Sequence, residues 1–593
     1  MAKKRALAKQ AFPQGRVVLD YETTDLHPYQ GGRAFIAGVE DEAGNVIKAR
    51  PGDPEWHKVE KVIEDEKVEK IAHGARFEIK HSKHLGLQPA GRFHDTMAKA
   101  VLVDEYQRIN LDSLSQRWLN DDSKGIVQAW LKANGPRIRR LTGREPNYSD
   151  IPKELLETYL EGDLDKTLRL DWLWRPVETE FPELYKMETD LAWDVAAMED
   201  MGFHIDMPYV KKMIMKLRPE MEGIEQEMHA MIGAKFNPAS RFDLGDAMAA
   251  MDLDTGMVNK DGTMKTDFKS LDVMDPHPFL DKLIRWRGLQ KIVGTYLIPF
   301  TQMAAGDVVH GSLWQYGQDE GIVTGRFSSS DPNLQNMPGG GRSTNKVLLE
   351  LGPIVRRAVV PPPGYSLLFF DYKRIEMVIF TCLAGDRRAM TDLRAGVDPY
   401  IAQGKLLYGA GAFNGLSGGD YERKRFNAKE LCLSLIYGMG LKSMARRLKC
   451  SLSEAKALRQ AYFTASPETK EFMTSTIRDL LVYGHVTDVF GRHYHVPQDR
   501  GYKAVNAKCQ GSAATVMKQG IIRARALAST GFRPIVPIHD ELIGIVPTHR
   551  LEEAAYEGIR LLKDDTSFEV PIEVDAKYSH TNWAEKKSFD WAL

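Results

Sequence analysis

Two short stretches, far apart in this chain, each put an aspartate at the mouth of an apolar strand. The first is Ser366-Leu367-Leu368-Phe369-Phe370-Asp371-Tyr372. The second is Ile535-Val536-Pro537-Ile538-His539-Asp540-Glu541-Leu542-Ile543-Gly544-Ile545-Val546. Runs this apolar read as buried strands. Three polar residues between two apolar stretches give the second run a hairpin pattern. Two such aspartates brought together would hold a pair of divalent cations for in-line phosphoryl transfer. The chain between them is mainly helical, so the fold expected is a sheet interrupted by a long insertion.

With 593 residues the chain exceeds a single core, which points to roughly three to four domains. Residues 15–182 alternate strand-like and helix-like segments, with Arg16–Asp20 and Ala34–Val39 as strands and Leu155–Trp174 as a helix, the pattern of an α/β domain. Residues 183–305 are Met-rich with helical periodicity and read as a helical arm. Strand signals return over 306–384, helix dominates 385–494, and 495–593 mixes both. The four cysteines, Cys382, Cys432, Cys450 and Cys509, have no zinc-finger spacing and fit a reducing, cytoplasmic compartment. No apolar run reaches the roughly 18 residues of a membrane span. The basic start over 1–14 lacks the apolar centre of a secretory signal and reads as a tail. A net charge of −1 does not advertise nucleic-acid binding. Acidic metal sites can mask a basic groove in that sum.

Arg425, Lys429, Leu433 and Tyr437 recur every four residues and so share one helical face. The cations can grip a polyphosphate, and Lys429 can protonate a leaving pyrophosphate. Tyr437 offers a ring for a base to stack on. An ordinary amphipathic helix has the same spacing, so its neighbours decide. Upstream lies the turn-rich segment Thr324-Gly325-Arg326 through Asn336-Met337-Pro338, then Asp371-Tyr372-x-x-Ile375-Glu376. Downstream lie Asn506-Ala507-x-x-Gln510-Gly511 and His539-Asp540-Glu541.

In type, order and spacing these motifs resemble the family A DNA polymerases, from about residue 183 to the end. The resemblance implies a right-hand polymerase with a thumb over 183–305, a palm over 306–384 and 495–593, and fingers over 385–494. It implies that Asp371 and Asp540 hold two Mg²⁺ (or Mn²⁺) ions with Glu541 in support, and that Arg425 and Lys429 grip the triphosphate. Glu376 resembles the family's steric gate against a ribose 2′-OH. Leu433, Tyr372 and Tyr437 would surround the nucleotide, Tyr437 at the templating position. Arg326, Arg374, Asn506, Gln510 and His539 would contact primer–template DNA near the primer end, reading features common to all correct pairs. Two positions depart from the family. Leu433 stands where Phe or Tyr is usual, and Arg374 stands where Gln is common.

Asp20 and Glu22 have i,i+2 spacing after a strand, so both carboxylates can face one side. Tyr159 and Asp163 are i,i+4 on a helix. Together they resemble the 3′–5′ exonuclease domain of the same family, an RNase H-like α/β fold over 15–182. The resemblance implies Asp20, Glu22, Glu78 and Asp163 as ligands for two Mg²⁺ ions, with Tyr159 orienting a water. The middle motif, His73-Gly74-Ala75-Arg76-Phe77-Glu78, has Gly74 for the usual Asn and Glu78 for the usual Asp, which is expected to loosen this segment. Asp95 reads as a helix-start residue. A single-subunit RNA polymerase would share the palm logic, but Glu376 and the nuclease motifs argue against it. The start of the chain leaves no room for a 5′-nuclease domain, and the helical arm lacks a long insertion. Both features suit a compact phage-type replicase. Primer–template DNA and dNTPs are the implied partners, with helicase and single-strand-binding protein as further ones. The enzyme is expected to be a monomer without membrane attachment.

Overall fold

The computed structural model describes residues 15–590, apart from 122–124, 272–273, 318–321, 339–345, 417 and 449. The basic tail expected over 1–14 lies outside the described residues. Arg16–Thr23 (β1), Ala34–Asp41 (β2), Val46–Ala49 (β3), Glu69–Ala72 (β4) and Phe93–Asp95 (β5) form one sheet in the order β3-β2-β1-β4-β5. β1 runs antiparallel to β2 and parallel to β4. The strand expected to stop at Asp20 continues through Thr23, so Asp20 and Glu22 lie within it. Helix α1 (Ala75–His84) and helix α2 (Lys153–Leu173) pack against this sheet.

Helix Pro182–Met201 (α3) leads from the first sheet into a run of helices that includes Met207–Ile232 and Pro278–Ile292. The far end of that run has a small core of its own around Met228, Leu244, Phe279 and Trp286. Its base instead shares a continuous core with the second sheet, through Leu191, Val195, Leu289 and Tyr296.

The second sheet joins the two apolar runs as expected. Tyr365–Tyr372 (β6), Arg533–Ile538 (β7), Glu541–Pro547 (β8), Val574–Ser579 (β9) and Lys587–Ser588 (β10) lie antiparallel in the order β7-β8-β6-β9-β10. The chain from 385 to 483 is helical and is inserted between β6 and β7. Two details differ from expectation. Ile538 pairs with Glu541, so the hairpin loop is His539-Asp540 and Glu541 begins the strand. A two-residue hairpin needs left-handed backbone, which His539 supplies at φ 57°. Residues 346–358, within the stretch read as strand, form the helix Lys346–Ala358 despite Pro353 inside it. Val355 and Ala358 are fully buried there, and tertiary packing overrides the helix breaker.

Candidate active sites

The first sheet carries the expected carboxylates. Asp20 pairs with Gly38 across β1 and β2, so both positions face the same side. That side receives α2 at very close range. A Cβ on Gly38 would stand 2.7 Å from Leu164 Cδ1 and 3.0 Å from Leu160 Cγ. The missing side chain lets α2 bring Asp163 down beside Asp20. Glu22, Glu78 and Asp163 are all buried. Burial, then the Asp163 charge, pushes the Asp20 carboxyl up to about 8. Burial and Asp20 raise Glu22 and Glu78 well above the usual carboxylate range. Asp163 is raised by burial as well, although Lys166 Nζ, 3.1 Å from its Oδ1, and the Tyr159 hydroxyl oppose the shift. Glu78 Oε2 is buried with no hydrogen-bond partner. A group of desolvated, mutually repelling carboxylates with an unsatisfied buried oxygen fits hard divalent cations.

Against the loosening expected at Gly74, its backbone is tied to Asp95. Gly74 sits at φ 101° ahead of α1. Its N–H donates to Asp95 Oδ1 at 3.1 Å, and the next N–H, of Ala75, donates to Oδ2 at 3.0 Å. Asp95 also accepts from the N–H groups of Met97 and Ala98, as its reading as a helix-start residue requires. One buried carboxylate therefore pins two elements, and α1 holds Glu78 in place. The αL backbone of Gly74 is costly for any residue with a Cβ, Asn included.

At the second sheet, β6 and the hairpin meet where the backbone N–H of Tyr372 donates to Asp540 O at 3.0 Å. Asp371 lies opposite Glu541 on β8 and opposite Asp575 on β9. Directly opposed residues of antiparallel strands share a face. Three carboxylates therefore form one row, with Asp540 at its edge. Lys586 pairs with Glu541, and Lys373 Nζ lies 2.9 Å from Asp575 Oδ1. An all-oxygen set of this kind suits hard divalent cations. The polar segment 324–338 reaches the hairpin through Gln335, which donates to Pro537 O and accepts from the His539 N–H at 3.2 Å.

Several other expected residues meet around Glu376, at the start of helix Ile375–Ala384. Arg326 pairs with one of its carboxylate oxygens, and the Tyr437 hydroxyl donates to the other at 2.6 Å. Gln510 lies close enough to the Tyr437 hydroxyl to oppose the rise that burial and Glu376 impose on it. Asn506, one turn earlier on helix Ala504–Arg523, has a buried Oδ1 without a partner. Arg425, Lys429 and half-buried Leu433 lie on helix Gly418–Ile436 (α4). Arg425 donates through Nη2 and Nε to Asp398 Oδ2 at 2.6 and 3.1 Å. Lys429 Nζ stands 5.6 Å from the Tyr400 ring centre. Arg374, left-handed at φ 54°, lies 3.7 Å from the same Asp398 oxygen. The expectation that the Tyr372 side chain binds nucleotide is contradicted. Its ring points to the opposite face from Asp371, is 1% exposed, and its hydroxyl donates to Leu562 O at 3.0 Å.

Residues 207–585 match the family described as DNA polymerase family A. The chain belongs to that family. Residues 3–139 of this family A chain match the 3′-5′ exonuclease family, a span that holds Asp20, Glu22 and Glu78, while Tyr159 and Asp163 lie beyond it. DNA polymerase I of Helicobacter pylori is 30% identical over 512 residues, covering 84% of this chain and 53% of that protein. The thermostable DNA polymerase I of Thermus aquaticus is 28% identical over 443 residues, covering 71% and 49%. The chain thus spans about half the length of these curated relatives, 53% and 49%. The polymerase domain of Pol1 from M. smegmatis, solved with DNA primer-template and dNTP, has the same fold. Its TM-score is 0.78 at 22% identity, covering 96% of each chain.

Three residues of this family A site escaped the sequence reading. Asp575 and Lys586 lie on the far side of the palm sheet in sequence, and only strand pairing brings them to Asp371 and Glu541. Val574-Asp575-Ala576-Lys577 alternates apolar and charged residues as a half-buried strand does, a signal that could have nominated Asp575. Asp398 carries a legible signal as the cap before Pro399, accepting from the N–H groups of Tyr400 and Ile401. Nothing local announces that its other oxygen holds Arg425.

Proposed function

We propose that this chain is a template-directed DNA polymerase that adds dNTPs to a primer 3′ end and shortens mismatched ends with its 3′–5′ exonuclease domain. The observation that carries the reading is the meeting of Asp371 and Asp540 at one end of a sheet, beside the Arg326–Glu376–Tyr437 cluster. Two divalent cations, Mg²⁺ or Mn²⁺, held by Asp371 and Asp540 would activate the primer hydroxyl and neutralise the triphosphate. Arg425 and Lys429 bind the triphosphate through charge-assisted hydrogen bonds, and Lys429 delivers a proton to the departing pyrophosphate. Arg425 must exchange Asp398 for phosphate, which couples nucleotide arrival to a shift of α4 against helix Pro399–Tyr408. Glu376 fills the space beside the sugar's C2′. Asn506, Gln510 and His539 face the primer–template, and the unsatisfied Asn506 oxygen supports such a contact. In the nuclease domain Asp20, Glu22, Glu78 and Asp163 would hold two Mg²⁺ ions, and Tyr159 orients the attacking water.

Thumb, palm and fingers are assigned to the spans given above. Primer–template DNA and dNTPs are the substrates, and the monomer works in the cytoplasm. Among the described residues no helix is long and apolar enough to cross a membrane. Replicative duty of the phage type, alongside a helicase and a single-strand-binding protein, is the finer part of this proposal. It rests on the compact helical arm over 183–305. Asp371→Asn and Asp540→Asn should each lower primer extension by at least about a thousandfold. Duplex affinity should change little, because phosphate contacts elsewhere supply it. Extension near the wild-type rate in either variant would overturn the assignment.

A further inference from the structure

A short hairpin beside the nuclease region gathers three histidines. Its strands, Val486–Thr487 and His493–Tyr494, pair Val486 with Tyr494 and Thr487 with His493. The next position outward sets His485 across from His495. His493 and His495 are two apart and so lean to one side. The His485 and His493 rings stack with centroids 4.0 Å apart, and His495 lies 5.6 Å from His485 and 6.5 Å from His493. Imidazoles bound to one tetrahedral ion would have centroids about 5 Å apart. The three separations straddle that value, and the stacked His485 and His493 rings must turn for the three sets of nitrogens to converge on one ion.

A carboxylate from another part of the chain completes the arrangement. Glu105 follows helix Thr96–Val103, and its Oε2 lies 3.0 Å from His495 Nδ1 while its Oε1 accepts the His495 backbone N–H. A carboxylate on Nδ1 fixes the proton there and leaves Nε2 with a lone pair, the means by which metal-binding imidazoles are oriented. Among the described residues, Asp104, Glu105 and His495 are the group whose ligand atoms all lie within 4.8 Å of one another. Both Asp104 oxygens are already used, by Arg117 Nη2 and the Tyr106 N–H at 2.9 Å each. The hairpin itself is braced. Asp488 accepts from the Tyr494 hydroxyl at 2.9 Å, Arg492 is tied to buried Glu188, and Phe181 lies edge-on to His493.

We propose that His485, His493 and His495 bind one zinc-class divalent ion on the hairpin, with Glu105 of the nuclease region positioning His495. Imidazole donors favour Zn²⁺, Co²⁺, Ni²⁺ and Cu²⁺, whereas Mg²⁺ prefers oxygen. The site is therefore chemically distinct from the two carboxylate sites and does not depend on their activity. The test uses the full-length chain without an affinity tag, stripped with chelator and held in excess Mg²⁺. Titrated Co²⁺ should give a tetrahedral-type visible spectrum that saturates at one ion per chain and is displaced by Zn²⁺. The triple variant His485→Asn, His493→Asn, His495→Asn should lose the spectrum while still extending primers, which also reports that it folds. Glu105→Gln should weaken Co²⁺ affinity about 10–100-fold, with the spectrum retained at high Co²⁺. Absence of a saturable spectrum, or an equal spectrum in the triple variant, would overturn the site. Wild-type affinity in Glu105→Gln would overturn the role given to Glu105. If the triple variant fails to fold, His493→Asn alone should lower affinity at least about tenfold, and unchanged affinity there would count against the proposal.

Discussion

Glu376 is held from two sides by residues expected to serve different parts of the substrate, Arg326 near the primer–template and Tyr437 at the templating position. A change at this carboxylate therefore alters both its own volume and the position of its partners. Glu376→Ala should raise the rNTP/dNTP ratio of kcat/KM at least about tenfold, close to 1.4 kcal/mol of lost discrimination. It should also lower dNTP kcat/KM. Glu376→Gln keeps the volume and loses the charge, so it should retain the block to ribonucleotides. Steady-state incorporation of each nucleotide type separates the two, and an unmoved ratio in the alanine variant would exclude Glu376 as the gate. Asp20 makes a second prediction at this scale. Burial holds its folded carboxyl up to about 8, well above the ordinary 3.8. The folded protein then keeps a proton that the unfolded chain releases, so stability falls as pH rises between those values. A divalent cation takes the proton's place. In EDTA the melting temperature of the nuclease region should fall from about pH 5 to about pH 8, and Mg²⁺ should restore it increasingly over the same window. Asp20→Asn should flatten the slope. A pH-independent melting temperature in the wild type without metal would contradict the argument.

At the scale of elements, the nuclease site depends on how closely one helix approaches one strand. Helix α2 carries both Tyr159 and Asp163, and Gly38 sets its distance from β2. Gly38→Val would force overpacking against Leu160 and Leu164, a change that typically costs about 1–3 kcal/mol. Asp163 would move off its place beside Asp20. Shortening of a mismatched primer should fall about tenfold or more while primer extension holds, since the two sites stand on separate sheets. Parallel assays on one preparation would check this, and equal loss of both activities would point to general destabilisation instead. Helix α4 shows a related dependence. Its cationic face, proposed above to grip the triphosphate, is legible as one face from four-residue spacing, yet Arg425 on it is held by Asp398 on the neighbouring helix.

Across the whole molecule, buried ion pairs join segments that are remote in sequence. Glu188 on α3 receives Lys518 Nζ at 2.7 and 2.9 Å and also pairs with Arg492. All three side chains are buried, and Lys518 donates further to Gln315 O at 3.0 Å. Burial pushes the Glu188 carboxyl up, but the two cations pull it lower still, below its usual range. Removing this anion would leave buried Lys518 without a counter-charge and Arg492 with only Asp488 beside it. Glu188→Gln should cost about 3–5 kcal/mol, measured by denaturant unfolding of the full chain. A loss under about 1 kcal/mol would show that water reaches the cluster. A second tie of this kind, Glu199 with Arg76 at 2.6 Å and Lys80 at 3.1 Å, fixes α1 against α3.

What the sequence by itself determined was whatever depends on local order. Strand alternation and helical spacing marked β1, β6 and α4, and the apolar runs ending on Asp371 and Asp540 marked the interrupted sheet. The hairpin was legible because turn chemistry is local. The roles proposed for Asp371, Glu376 and Arg425 came from motif order, which a single chain displays in full. Tertiary structure decided what depends on partners far along the chain. Tyr372 sits one residue from Asp371 and reads as part of the same site, yet strand alternation turns it to the opposite face and buries it against Leu562. Lys586, Asp575 and Asp398 reach the site only through pairing and packing, and the Gly74 N–H finds its acceptor in Asp95, 21 residues on. Backbone periodicity fixes which way a side chain points. Only the assembled core fixes what it meets.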